Sequence, residues 1–231
     1  AVAGIMPAMG NHTAGSFRNG EVNCSEVQLD TFNVALCTAH FCHTPEALAR
    51  FVDKAVAAAA LRLDLLVFPE NIYAQGLQPA NGPAASFDAV QQRAFIKQVT
   101  NSAAAHSVHI LVAVPFQDEH DGCFYGTALL IGPHGEVCRH LKGHLCDTER
   151  SYYASGPLRS PTKCGLPGFQ PQIGLGICFD LWSHSFRGEC SDVGVLVLPV
   201  YCGASHELGE LSELPAGVAA AAAREAADGY G

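Results

Sequence analysis

The chain has 231 residues, 48% of them hydrophobic and 15% charged, which is enough apolar material for one sizeable core and a length usual for one domain. Thirteen Lys plus Arg against 22 Asp plus Glu leave a formal charge of -9, which repels nucleic acid and anionic membrane surfaces, so nucleic acid is not expected as a partner. No apolar run approaches the roughly 20 residues of a membrane span, because the alanine run at 57–60 is followed by Arg62 and Asp64.

Residues 1–30 are rich in Gly, Asn and Ser and keep neither a strand nor a helix period, so they read as an N-terminal extension, with the domain covering 31–231. From Thr31, the residues Phe32, Val34 and Leu36 alternate with Asn33 and Ala35 as a first strand. Thr44-Pro45-Glu46 has the composition of a helix start: Thr caps free amides, Pro suits the first helical position, and Glu suits the positive end of the dipole. Ala47, Leu48, Phe51, Val52 and Ala55 follow at helical spacing. The continuous apolar run 65–68, ended by Pro69, predicts a strand buried on both faces.

A helix over about 87–106 and a strand over 109–114, closed by Pro115, repeat the alternation. Strands at 127–131 and 136–141 are joined by Gly132-Pro133-His134-Gly135, a hairpin turn. Buried strands are predicted at 173–177 and 193–198, and an alanine-rich helix at 218–227. This is an α/β layout without an internal repeat or a dividing linker. The chain stops just after that last helix, so an incomplete C-terminus is the expectation. It starts without Met and with no recognisable leader, which leaves the compartment unassigned.

Ten Cys are spread through strands and loops rather than clustered as in a small disulfide scaffold. Asn11-His12-Thr13 and Asn23-Cys24-Ser25 fit the glycosylation pattern, which is loose enough to arise by chance. Cys37, His40, Cys42 and His43 are metal-ligand types in a short span, but Cys37 and His40 point to opposite faces of a strand and no second cluster has ligand spacing. His140, His144 and Cys146 are read the same way, and no metal is expected.

Three positions carry chemistry. Cys178 lies just past the strand 173–177 in Gly174-Leu175-Gly176-Ile177-Cys178-Phe179-Asp180, where a strand end and turn present a side chain to a cleft. A helix starting there would favour its thiolate, although a buried structural cysteine is the ordinary reading. Glu70 follows the run ending in Phe68-Pro69, at the strand edge where open α/β sheets place ligands; alone it reads as a solvated carboxylate. Lys142 ends a third strand in His140-Leu141-Lys142-Gly143-His144-Leu145 and alone reads as surface charge.

Together these contexts resemble the nitrilase, or carbon-nitrogen hydrolase, superfamily: a Glu after a strand ending in Phe-Pro, a Lys followed shortly by His-Leu, and a Cys in a Gly-x-x-x-Cys-x-Asp setting. The resemblance spans about residues 31–231. It implies an α-β-β-α sandwich lacking its final C-terminal elements, and cleavage of a small linear amide without metal or organic cofactor. Cys178 would be the nucleophile, Glu70 the general base and Lys142 the oxyanion partner. Glu149, in Asp147-Thr148-Glu149-Arg150, resembles a second glutamate that positions the lysine. The division of labour is physically reasonable, since a thiol needs a base and a fixed cation is most useful where negative charge develops.

Cys178-Phe179-Asp180-Leu181 with His184, Tyr125 and Thr127 is loosely similar to the biotinidase and pantetheinase branch, whereas His184-Ser185 departs from the Pro-Glu of many others. Family members commonly pair through outer helices, so a homo-oligomer is implied. The alternative reading is a nitrilase-fold subunit that keeps the motif but serves as a structural or assembly partner.

Overall fold

The computed structural model describes residues 2–7, 12–19, 22–29, 32–39, 44–59, 62–70, 89–147, 149–157, 160–190 and 193–200. Among these, the strands are β1 (Val2–Pro7), β2 (His12–Asn19), β3 (Val22–Leu29), β4 (Phe32–Ala39), β5 (Leu65–Glu70), β6 (His109–Gln117), β7 (Phe124–Gly132), β8 (Gly135–Leu141), β9 (Thr162–Leu166), β10 (Phe169–Leu175) and β11 (Val195–Val200). The helices are α1 (Pro45–Ala58), α2 (Ala89–His106) and α3 (His184–Gly188). Seven strands form one sheet in the order β2-β3-β4-β5-β6-β7-β8, and four form a second in the order β1-β11-β10-β9.

Alternation of side chains along each strand sets the layers. In β5, Leu66 and Phe68 pack with Leu48 and Phe51 of α1 and Phe95 and Val99 of α2. Leu65 and Val67 face the other way and pack with Phe169, Ile173, Val195 and Val197 of the four-stranded sheet. On the far face of that sheet, Leu196 and Leu198 of β11 pack with Leu181 and with Phe186 of α3. The result is the α-β-β-α order. It also explains why β5 is apolar without interruption: both of its faces are covered.

The middle of the larger sheet is parallel, β4 to β5 and β5 to β6, with α1 and α2 in the two crossovers. The hydroxyl of Thr44 caps α1 by accepting from the Ala47 amide at 3.2 Å, with Pro45 in the first turn. The β7–β8 hairpin closes on Gly132 opposite Gly135, and the φ of 118° at Gly135 is one that side chains rarely adopt.

Several sequence expectations are corrected. Residues 1–30 contain three strands rather than an arm without strand period: β1 pairs antiparallel with β11, and β2 and β3 extend the larger sheet beyond β4. Nonlocal pairing makes them strands where local patterning is weak. Pro115 does not end β6, which continues to Gln117; pairing with β5 stops at Ala113, so the missing Pro amide lies where that ladder no longer needs it. β10 ends at Leu175, two residues before the expected end, while β9 and α3 were not anticipated. The predicted helix over 218–227, and His40, Cys42, His43 and Asn11, lie outside the described residues.

Candidate active site

Glu70 is the last residue of β5. The β5–β6 register shifts between Val67 and Glu70, around Phe68-Pro69, and such an irregularity at a strand end re-aims the side chain that follows. Glu70 is buried, as are Lys142 and Glu149. Lys142 follows β8, and its backbone is fixed on both sides: its amide donates to the Gly126 carbonyl at 2.8 Å and its carbonyl accepts from the Gly156 amide at 2.8 Å. The second bond needs glycine, because a Cβ on Gly156 would run into the Leu141 carbonyl. The stem of Lys142 packs on Gly126, where a Cβ would lie 3.4 Å from its Cβ and Cδ.

The ammonium of Lys142 sits between two carboxylates, donating to Glu70 Oε1 at 2.7 Å and to Glu149 Oε1 at 2.6 Å. Glu149 opens a short 3-10 turn (Glu149–Ser151), and its other oxygen accepts from the Cys146 amide at 3.0 Å. The two bonds hold Glu149 as a bracket for the lysine.

Cys178 begins a second 3-10 turn (Cys178–Trp182) just after β10, so the helix anticipated there is a single tight turn. Its φ of 39° is an uncommon value for a residue with a side chain, of the kind that costs energy and persists where the surroundings enforce it. Behind it, Gly176 leaves room for Phe186 and Leu198, which a Cβ there would strike. The Cys178 thiol is half-buried, packs against the core between the sheets, and is in hydrogen-bond contact with Glu70. Glu70, Lys142, Glu149 and Cys178 therefore meet at one place, the four residues singled out from the sequence.

Their charges are interdependent. Burial pushes the Glu70 carboxyl above the usual carboxylate range; Lys142 opposes the shift and Glu149 adds to it. Burial alone would lower the Lys142 ammonium, but the negative charges of Glu70, Cys178 and Glu149 outweigh it and the net shift is upward. Both shifts run upward, which favours the charged form of Lys142 and eases proton uptake by Glu70. A base beside a thiol and a fixed cation beside both is equipment for attack on a carbonyl carbon with charge developing on oxygen.

Two features lay beyond the sequence reading. Asp180, fully buried, accepts hydrogen bonds from the segments after Lys142 and after β10, and from the imidazoles of His140 and His144, residues first weighed as metal ligands. Only its place beside Cys178 in the motif hinted at this. Tyr153 is buried beside the cluster, and its hydroxyl has no hydrogen-bond partner among the described residues. A cleft of about 200 Å³ lined by Gly143, His144, Leu145, Arg150, Ser155 and the partly exposed Phe179 opens next to the lysine and cysteine segments. Among the described residues, no group of three or more His, Cys, Asp or Glu side chains is arranged to hold a metal, and no helix is long and apolar enough to cross a membrane.

Comparison with known proteins places the chain among relatives of the same fold. The chain is 29% identical over 161 residues to an (R)-stereoselective amidase from Pseudomonas sp., covering 64% of this chain and 52% of that protein, so it spans about half the length of the curated relative. A mutant of the amidase of Nesterenkonia AN1, from the nitrilase superfamily, superposes with a TM-score of 0.62 at 19% identity, covering 76% of this chain and 67% of the other. Another variant of that amidase carries the acetamide moiety of fluoroacetamide at its active-site cysteine; it matches with a TM-score of 0.61 at 19% identity over 76% of this chain and 66% of its own. The glutamine-dependent NAD+ synthetase of Acinetobacter baumannii matches with a TM-score of 0.60 at 17% identity, over 75% of this chain and 32% of its own. These likenesses establish the fold. The family model for carbon-nitrogen hydrolases matches residues 33–221, and the chain belongs to the carbon-nitrogen hydrolase family.

Proposed function

We propose that this chain hydrolyses the carbon-nitrogen bond of a small linear amide through a thioester on Cys178. The observation that carries the proposal is the meeting of a buried base, a buried cation and a thiol: Lys142 bonds both Glu70 and Glu149, and Cys178 contacts Glu70. Glu70 takes the thiol proton as sulfur attacks the carbonyl carbon, and the carbonyl π pair moves to oxygen beside the Lys142 ammonium. Collapse of that intermediate breaks the carbon-nitrogen bond, with Glu70 returning its proton to the departing amine. Glu70 then takes a proton from water, whose oxygen attacks the thioester; the carbon-sulfur bond breaks, the acid leaves and the thiol regains a proton. Glu149 keeps the lysine in place.

The (R)-stereoselective amidase relative and the modified cysteine of the Nesterenkonia amidase support this chemistry by analogy. In the same proposal, residues 31–231 are the hydrolase domain, residues 1–30 are an extension whose strands add to both sheets, and the protein works as an oligomer. The test is incubation with a panel of small amides and with fluoroacetamide, followed by intact-mass analysis and detection of released amine. Amine release and an adduct mapped to Cys178, both absent in Cys178→Ala, are expected. No turnover and no adduct on a folded protein would overturn the proposal in favour of a structural or assembly subunit.

A further inference from the structure

Asp180 is fully buried, and both of its oxygens are saturated with donors. One oxygen, Oδ2, accepts from the Ile177 amide at 3.0 Å and from His140 Nε2 at 2.9 Å. The other, Oδ1, accepts from the Gly143 amide at 3.0 Å, the His144 amide at 2.8 Å and His144 Nδ1 at 3.2 Å. Ile177 immediately precedes Cys178, and Gly143 immediately follows Lys142. One carboxylate therefore holds the turn that carries the thiol with one oxygen and the loop that carries the cation with the other. His140 lies on β8 two residues before Lys142, and its Nδ1 meets the Thr162 hydroxyl at 3.1 Å, which orients the ring toward Asp180.

We propose that Asp180 is a positioning residue for the nucleophile, acting through the Ile177 and Gly143 amides to fix Cys178 against Lys142 and Glu70. The carboxylate is suited to this because it only accepts, and all five of its partners can donate. An asparagine cannot replace it. With its oxygen toward Gly143 and His144, its NH2 faces the Ile177 amide, which has no acceptor to offer; turned round, it faces the Gly143 and His144 amides instead. Either orientation releases one of the two segments. His140 can change tautomer to accommodate the change, but a backbone amide cannot.

The φ of 39° at Cys178 makes the tie matter, since a strained residue keeps its conformation only while its neighbours hold it. Releasing the turn lets the thiol move away from its base and cation, and the thiolate fraction falls. The proposal rests on Cys178 being the activated thiol, so the test uses a readout that needs no amide substrate.

The measurement is the alkylation rate of Cys178 by iodoacetamide, followed by peptide mass mapping. The exposed free thiol of Cys123 serves as internal reference, and thermal melts report folding. In the unmodified protein Cys178 is expected to react faster than Cys123. In Asp180→Asn it is expected to slow by about tenfold or more relative to Cys123, in line with an amide left without its acceptor. If Asp180→Asn does not fold, His140→Leu, which strips one donor but leaves both ties, is expected to slow Cys178 less and in the same direction.

A role confined to stability would lower the melting temperature and leave the ratio of the two rates unchanged, or raise it as the fold loosens; either result in a folded variant overturns the proposal. A wild-type Cys178 no faster than Cys123 overturns both this inference and the nucleophile assignment beneath it. A fast wild type with an unchanged variant overturns the positioning role alone.

Discussion

Replacing Lys142 by Met is the most informative single perturbation of the site. Methionine keeps the length and flexibility of the lysine stem, so the packing on Gly126 survives and the change is largely electrostatic. What disappears is the partner of two buried carboxylates, bonded at 2.7 Å and 2.6 Å, whose side chains are only 7% and 10% exposed. Removing one member of a buried ion pair costs about 3–5 kcal/mol, chiefly because the charge left behind has no compensation. Two carboxylates are stranded here, but the losses do not add, since one can escape by taking up a proton. For a chain of this size about 3–5 kcal/mol corresponds to a melting temperature lower by roughly 6–20 °C.

The loss must depend on pH. Burial already raises the Glu70 carboxyl and Lys142 opposes that shift, so in the variant Glu70 titrates further above its unfolded value: its stabilising contribution is present below the unfolded pKa and is lost as pH rises through the folded one. The gap between variant and wild type should therefore be widest near about pH 8 and narrow toward about pH 5. Differential scanning calorimetry at both values reads it. A variant melting with the wild type at the higher pH, or a gap that grows on acidification, would refute the view that Lys142 neutralises a buried acidic pair.

Other expectations follow from the same geometry. Because burial raises the Glu70 carboxyl, the acid limb of kcat/KM on any amide turned over should fall at a pH above the ordinary glutamate value of about 4.3. Activity is lost as pH drops through the raised pKa, and a limb at or below the ordinary value would contradict the base assignment. Glu70→Gln should lower kcat by about 10²–10⁴-fold in steady-state assays, the range typical of a general base. Tyr153→Phe deletes a buried hydroxyl that has no partner among the described residues, so its melting temperature should stay level or rise. A loss beyond about 1 kcal/mol would mean that the hydroxyl has a partner after all.

What the sequence disclosed and what it hid divide along physical lines. The uninterrupted apolar run of β5, the Thr44 cap and the Gly132–Gly135 hairpin are local signals, written in neighbouring residues, and they were read correctly. The pairing of β1 with β11 joins segments nearly the whole described chain apart, and no local pattern in Gly-, Asn- and Ser-rich residues announces it. The site behaves similarly. Glu70 and Lys142 are separated by 72 positions, and each alone had an ordinary explanation; the resemblance in their flanking motifs is what proposed a meeting between them. Asp180 stood in view within the cysteine motif, but all its donors except the Ile177 amide come from residues 36 to 40 positions away, beyond the reach of pattern reading.

The partnership of β1 with β11 also orders events during synthesis. Val2–Pro7 is synthesised well before Val195–Val200, the strand it must join, so it cannot dock until the last described strand has emerged. Throughout that interval the nascent chain carries an unpaired β-prone segment, the kind of edge that joins foreign strands. Joining the two across so long a loop puts this contact among the slow ones.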